Sequence, residues 1–124
     1  MIVYLDTHVL VWLFDDASRL SPPARRAIDR YELRASPAAV LEMEFLHELG
    51  RTRQSAADIV KALATHVGLR ICDLPFRTVV DVALKEAWGR DPFDRLIVAQ
   101  AKAAGAGLVS KDEKIRQNYA KAIW

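Results

Sequence analysis

The sequence predicts a three-layer α/β/α sandwich built around a mostly parallel central sheet of about five strands. Short apolar runs that are typical of strands alternate along the chain with longer helical patterns. Such alternation indicates a parallel sheet with helices on both faces. The strand-like runs are also continuously apolar, without the polar residue at every second position that a half-exposed strand would show. This continuity favours strands that are covered on both sides.

The predicted strands are short and are separated by the helical segments. They are Ile2–Leu5, Leu33–Ala35, Leu69–Cys72, Gly107–Val109 and Ala122–Trp124. The predicted helices are Thr7–Phe14, Pro23–Tyr31, Pro37–Gly50, Ser55–Val67, Phe76–Trp88 and Phe93–Ala104. Glycine commonly stands just beyond the last turn of a helix, so we expect helices to stop at Gly50, Gly68, Gly89 and Gly105.

Composition limits the class of protein. With 124 residues, 52% of them hydrophobic and 27% charged, residues 1–124 can form one domain with a real core. No apolar run approaches the ~20 residues that cross a bilayer, and Asp6 interrupts the apolar start, so we expect neither a membrane span nor a signal peptide. Cys72 is the only cysteine, which fits a reducing, cytoplasmic location. The net charge of +2 does not by itself indicate nucleic-acid binding.

Acidic residues gather where such a sheet carries its functional site. Ligands of parallel sheets bind beyond the carboxyl ends of the strands. Asp6 ends the first predicted strand and Asp112 follows the fourth. Glu42, Asp91 and Asp94 lie near the starts of helices, and a helix that follows a parallel strand begins at the same edge. We therefore expect these carboxylates to lie close together.

Helix capping is a competing explanation for most of these acids. Asp6 could cap the helix that begins after it. Asp91 precedes a proline, and Asp94 follows in the first turn, which is close to an ideal helix start. The segment Ser110–Glu113 has the spacing of a capping box. Helix capping alone could therefore explain the acidic residues in these three segments.

Glu42 is harder to explain by capping. Its helical neighbours include Ala38, Phe45 and Leu49, a stripe that we expect to face the core. Burying an unpaired charge is too costly to persist without compensation. Either a buried arginine or a shared cation must offset it, and we favour the cation. Glu44, in contrast, shares a side of the helix with charged residues and is expected to be solvated.

The clustering itself points to a metal ion. Two carboxylates ~4 Å apart repel by about 1 kcal/mol in water and by roughly 4 at an effective dielectric of 20. A cation shared by Asp6, Glu42 and Asp94 would remove this repulsion. Oxygen ligands suit Mg²⁺ or Mn²⁺, whereas the scattered histidines and the lone cysteine do not indicate zinc. Such a centre predicts hydrolysis of a phosphodiester.

Four segments together resemble one known family. Val3–Thr7 is similar to the opening of PIN domains, an apolar strand that ends in aspartate followed by a hydroxyl residue. Ser36–Met43 is similar to the second motif of that family, and Arg90–Ala101 resembles the segment most typical of VapC-type PIN proteins. Leu108–Asp112 matches the closing strand motif. The resemblance spans nearly the whole chain, with the motifs in the order and spacing of the family.

The resemblance implies roles for individual residues. Asp6, Glu42 and Asp94 would be the metal ligands, and Asp112 would complete an acidic quartet, partly through water. Asp91 would line the pocket, while Thr7 and Ser110 would orient the carboxylates. His8 departs from the family, in which asparagine is commoner at this position; we expect it at the pocket rim.

The resemblance also implies an activity and partners. The chain would be a metal-dependent endoribonuclease in which water attacks RNA without a covalent enzyme intermediate. It would form a homodimer and would be the toxin of a type II toxin–antitoxin pair, with a small antitoxin that blocks the acidic pocket.

Two alternatives remain open at this point. A PIN-type nuclease in RNA processing or DNA repair would share the chemistry and differ only in substrate and partners. A non-enzymatic receiver-like module would also bind Mg²⁺ at a sheet edge. It needs a phosphoacceptor aspartate on a central strand and a lysine at a later strand end, for which Asp73 and Lys111 are the candidates, but it leaves Glu42 unexplained. Trp12 is expected in the core, and scattered arginines such as Arg19 are expected to be solvated surface.

Overall fold

The computed structural model describes residues 1–124 and contains a five-stranded sheet in the order β3-β2-β1-β4-β5. Every neighbouring pair of strands is parallel. The central strand is also the first in sequence, so the sheet grows outwards from it on both sides. The strands are β1 (Ile2–Leu5), β2 (Glu32–Ala35), β3 (Arg70–Ile71), β4 (Gly107–Val109) and β5 (Ala122–Ile123). The predicted fold class and all five strands are confirmed.

Seven α-helices connect and flank the strands. None of them has the length and apolar character needed to span a membrane. A short 3-10 turn, Ala17–Arg19, was not predicted. The helices are α1 (Thr7–Asp15), α2 (Pro22–Arg30), α3 (Pro37–Glu48), α4 (Ala56–Val67), α5 (Phe76–Ala83), α6 (Pro92–Ala103) and α7 (Glu113–Asn118).

The core is built around β1 and β4. Val3, Leu5, Leu108 and Val109 are almost fully buried, as the continuously apolar runs predict for strands that are covered on both faces. Each such side chain contributes roughly 1.5–3 kcal/mol when it leaves water. Because the fully buried Leu5 directly precedes Asp6, core packing fixes the position of the carboxyl end of β1.

Helix α5 is shorter than predicted, because it ends at Ala83 and not at Trp88. The guanidinium of Arg95 donates a hydrogen bond of 2.8 Å to the carbonyl of Ala83. Glu86 then turns inwards and is buried, where it accepts hydrogen bonds from Lys102 at 2.8 Å and from the indole of Trp88 at 2.6 Å. Contacts with helix α6, which is distant in sequence, therefore end α5 at Ala83, although the helical pattern of the sequence continues to Trp88.

Three of the predicted glycine stops are confirmed. Gly50, Gly68 and Gly105 have positive φ angles of 75°, 70° and 65° just beyond helices. Gly89 does not follow a helix, since α5 has already ended at Ala83, and the prediction was wrong there.

The apolar stripe of α3 does not face the core as expected. Ala39 and Met43 are fully buried, whereas Leu41, Phe45 and Leu49 are 51%, 44% and 68% exposed. Because Ala39 and Met43 are four residues apart, they form a narrow buried stripe that leaves the larger side chains outside. The exposed apolar face of α3, formed by Leu41, Phe45 and Leu49, is therefore a surface feature of the protein.

Glu44 also differs from its prediction. Its carboxylate accepts the backbone N–H of Ala56 at 3.1 Å, at the start of α4. It is thus a structural contact between two helices, where the sequence indicated a freely solvated side chain.

Candidate active site

An acidic pocket lies beyond the carboxyl ends of β1 and β4, where the sequence placed it. Its volume is about 460 Å³, within the usual range for ligand sites. Carboxylates from four separate segments line it: the end of β1, helix α3, the start of α6 and the loop after β4. The lining residues are Asp6, His8, Trp12, Glu42, Asp91, Asp94, Lys111 and Asp112.

Asp6 lies at the base of this pocket and is only 6% exposed. One carboxylate oxygen accepts the backbone N–H of Thr7 at 2.8 Å, and the other accepts the hydroxyl of Ser110 at 2.6 Å. Burial raises the pKa of Asp6, although these two hydrogen bonds act in the opposite direction. Asp6 therefore caps α1 and lines the pocket at the same time, so the two explanations do not exclude each other.

Glu42 is held in the pocket by Thr7. The buried Thr7 hydroxyl donates a hydrogen bond of 2.5 Å to Glu42. Burial raises the pKa of the Glu42 carboxyl; the bond from Thr7 opposes this, while Asp6 and Asp91 add to it. A residue of α1 thus fixes the orientation of a carboxylate from α3.

Asp91 and Asp94 occupy the start of α6. Asp91 caps the helix by accepting the N–H groups of Phe93 at 2.8 Å and of Asp94 at 3.3 Å. Burial, together with the charges of Asp91, Asp6, Asp112 and Glu42, raises the pKa of Asp94 to about 7. The fold therefore holds Asp94 in an environment that disfavours its negative charge.

Asp112, and not Ser110, is the cap of α7. Asp112 accepts the N–H of Ile115 at 2.9 Å, so the predicted capping box was assigned to the wrong residue. The fully buried Ser110 hydroxyl accepts the N–H of Asp112 at 3.1 Å while it donates to Asp6. Ser110 thereby links Asp6, at the end of β1, to Asp112, at the start of α7.

None of the pocket acids forms an ion pair with a basic side chain, although His8 and Lys111 also line the pocket. The ion pairs of the chain join Arg25 to Asp29, Arg34 to Glu32 and Lys102 to Glu86, all outside the pocket. The buried arginine partner that could have explained Glu42 is thus absent. Carboxylates that line one pocket without ion-pair partners favour binding of a cation at this edge of the sheet.

Comparison with known proteins decides the family. The model of the PIN domain matches residues 3–121 of the chain. The chain belongs to the PIN-domain family. It is similar to "Ribonuclease VapC22" of Mycobacterium tuberculosis, with 34% identity over 94% of this chain and 91% of that protein.

Solved structures share the PIN fold at low sequence identity. A toxin–antitoxin complex from Klebsiella pneumoniae matches with a TM-score of 0.68 and 16% identity, covering 98% of this chain and 96% of that one. DNA-bound VapBC from Salmonella typhimurium matches with a TM-score of 0.65 and 13% identity, covering 98% and 95% of the two chains.

The donor groups of this PIN domain fit a hard divalent ion. No three of its acidic, histidine or cysteine side chains converge closely enough to hold a metal by themselves. Mg²⁺, however, usually keeps several waters and binds through one or two carboxylates together with substrate phosphate. Asp6, Glu42 and Asp94 supply only oxygen atoms, and the raised pKa of each reflects burial together with the charges of neighbouring carboxylates.

The receiver-like alternative is not supported by the PIN fold. Asp73 follows β3, which is an edge strand, and it does not line the pocket. Lys111 does line the pocket, and so does Trp12. The sequence analysis assigned neither residue to a PIN site. For Lys111, its position between the predicted site residues Ser110 and Asp112 could have indicated that it lies at the pocket.

Proposed function

We propose that this PIN domain is a divalent-metal-dependent endoribonuclease and the toxin component of a type II toxin–antitoxin system. The observation that carries the proposal is the pocket lined by carboxylates without ion-pair partners, in a chain that matches a ribonuclease of the VapC type over nearly its full length. Asp6, Glu42 and Asp94 would hold Mg²⁺ or Mn²⁺. Asp112 would contribute partly through water, and Asp91 would line the entrance.

The chain's own hydroxyl groups argue for water as the nucleophile. Thr7 and Ser110 are the hydroxyl residues nearest the acids, but both are fully buried and donate to Glu42 and Asp6. Neither is free to attack a phosphate, so no covalent enzyme intermediate is expected. A divalent ion, when bound, would lower the pKa of a water molecule and offset the charge of the phosphodiester. The two hydroxyls would keep the carboxylates in one orientation.

Cleavage of RNA should depend on the metal. Purified protein, freed of any antitoxin, is expected to cut single-stranded RNA with Mg²⁺ or Mn²⁺ and to lose this activity in EDTA. Asp6→Asn serves as the control for contaminating nucleases, because a contaminant would be unaffected by the substitution. Cleavage by the wild-type protein that persists in EDTA and disappears in Asp6→Asn would contradict the metal mechanism.

The partners proposed are an RNA substrate, a small antitoxin over the acidic pocket and a second copy of the chain. The exposed apolar face of α3 supports a protein contact, since monomeric proteins seldom leave such patches uncovered. Phe45 also packs edge-to-face against Phe93 at 5.4 Å, which extends this face towards α6. We assign the face to the homodimer.

A charge placed on this face should separate the two copies. Leu49→Glu is expected to shift the protein from dimer to monomer in light scattering, because an unpaired carboxylate would be buried in the interface. Ala57→Glu adds the same charge on the exposed side of α4 and should leave the dimer intact. A wild-type protein that is monomeric at micromolar concentration would contradict the assignment.

A further inference from the structure

One wall of the acidic pocket carries positive charge. Trp12 forms this wall, and its side chain is almost buried at 8% exposure. The guanidinium carbon of Arg19 lies 4.4 Å from the centre of the Trp12 ring, and the ammonium nitrogen of Lys111 lies 5.7 Å from it. The indole thus contacts two cations, Arg19 from the 3-10 turn and Lys111 from the loop that follows β4. Lys111 lines the pocket itself, and Arg19 lies against the Trp12 ring that lines it.

Neither cation is neutralised by a carboxylate. Arg19 and Lys111 are exposed and take part in none of the ion pairs of the chain. Acids are close in sequence, but they are engaged elsewhere: Asp16 accepts the hydroxyl of Ser18 at 2.5 Å, and Asp112 caps α7. An indole attracts a cation through its ring without cancelling its charge. Trp12 therefore orients two positive groups that remain available to an anion.

The position of these groups matches the needs of a polyanionic substrate. A phosphodiester that enters the acidic pocket carries a neighbouring phosphate on each side, and the carboxylates repel all three. Positive side chains at the pocket wall offset this repulsion for a neighbouring phosphate. Arginine is well suited to this contact, since its planar group can donate two hydrogen bonds to one phosphate.

We propose that Arg19 and Lys111, oriented by Trp12, bind a phosphate that flanks the scissile phosphodiester and so set the register of the RNA in the site. This inference rests on the proposed function, because it takes RNA as the substrate. Arg19 and Lys111 are binding residues in this scheme, and Trp12 is a positioning residue. Arg19 is exposed, as the sequence predicts, but its contact with the Trp12 ring was not predicted.

Matched substitutions test the inference. Arg19→Gln and Lys111→Gln each remove one charge at the wall, whereas Arg116→Gln and Lys114→Gln remove the same charges from the exposed side of α7. Two quantities are measured: kcat and KM for a defined single-stranded RNA with Mg²⁺, and the Kd of a fluorescein-labelled RNA oligonucleotide by anisotropy in EDTA over a series of KCl concentrations. Trp12→Phe, with its melting temperature measured, completes the set.

Each substitution at the wall is expected to raise KM and Kd by about 3- to 10-fold and to leave kcat within about twofold. The slope of log Kd against log salt should fall by about 0.7 for each lost phosphate contact. The variants on α7 should match the wild type in all these values. Trp12→Phe should raise KM while the salt slope is kept, because both cations remain.

The outcomes separate this inference from the proposed function. Wild-type protein that neither binds nor cuts RNA would overturn both. Wild-type cleavage combined with unchanged KM and salt slope in Arg19→Gln and Lys111→Gln would overturn the inference alone. So would a fall in kcat without a change in KM, since the two groups would then not act by binding.

Discussion

Replacing Glu42 with glutamine is expected to reduce the rate of RNA cleavage by at least ~100-fold. Glu42 is half-buried in the acidic pocket and is fixed there by the Thr7 hydroxyl. Glutamine keeps the shape and can still accept the bond from Thr7, but it loses the negative charge that a metal ion requires. The expected loss therefore reports on the charge. Single-turnover cleavage of a labelled RNA with Mg²⁺ measures it.

Glu48→Gln is the matched control. Glu48 lies on the same helix and is exposed, so the substitution changes net charge equally and should leave cleavage unaffected. Glu44 is less suitable, because its carboxylate contacts the start of α4. Mg²⁺ should also raise the melting temperature of the wild type and of Glu48→Gln but not that of Glu42→Gln, since a ligand stabilises only the state that binds it. Equal cleavage by both variants would remove Glu42 from the proposed site.

Replacing Asp94 with asparagine is expected to abolish cleavage and, without metal, to stabilise the fold above neutral pH. The folded protein raises the pKa of this carboxyl from 3.8 to about 7. The protonated form is therefore the one that the fold favours. The stability that Asp94 contributes is complete below about pH 4 and is lost as the pH rises towards 7. Asparagine stays neutral and avoids this loss.

Thermal unfolding in EDTA between pH 4 and pH 8 measures the effect. The wild-type melting temperature should fall over this range more steeply than that of Asp94→Asn, and the variant should be the more stable protein at pH 8. Asp58→Asn is the control, because Asp58 occupies the same first-turn position in α4 and is exposed away from the pocket. If Asp94→Asn follows the wild-type curve, or still cuts RNA, the proposed role of Asp94 is wrong.

The features that the sequence predicted well are those that depend on neighbouring residues and on one topological rule. Continuous apolar runs located β1 and β4, because a strand covered on both faces needs no polar residue. The rule that parallel strands end at one edge then predicted that Asp6, Asp112 and Glu42 lie together. Residues far apart in the chain meet in the pocket because they share that edge.

The features that were missed depend on contacts between distant segments. The end of α5 is set by Arg95 of α6, and no pattern within α5 could reveal it. Phe45 is exposed because α3 packs on the core through Ala39 and Met43. The helix has two apolar stripes, one with Met43 and one with Phe45, and periodicity alone does not show which of them is buried. The cations around Trp12 were missed for the same reason, since Arg19 and Lys111 meet only on the folded indole.

The central place of β1 also makes the acidic pocket depend on contacts between residues that are far apart in the chain. The backbone N–H of Asp6 donates to the carbonyl of Val109, and the Asp6 carboxylate accepts the hydroxyl of Ser110, each across more than a hundred residues. The middle of the sheet is therefore complete only when β4 has paired with β1. A chain in which β4 has not yet paired with β1 leaves Asp6 without its partners Val109 and Ser110. Pairing of these two strands and assembly of the acidic pocket are therefore one folding event.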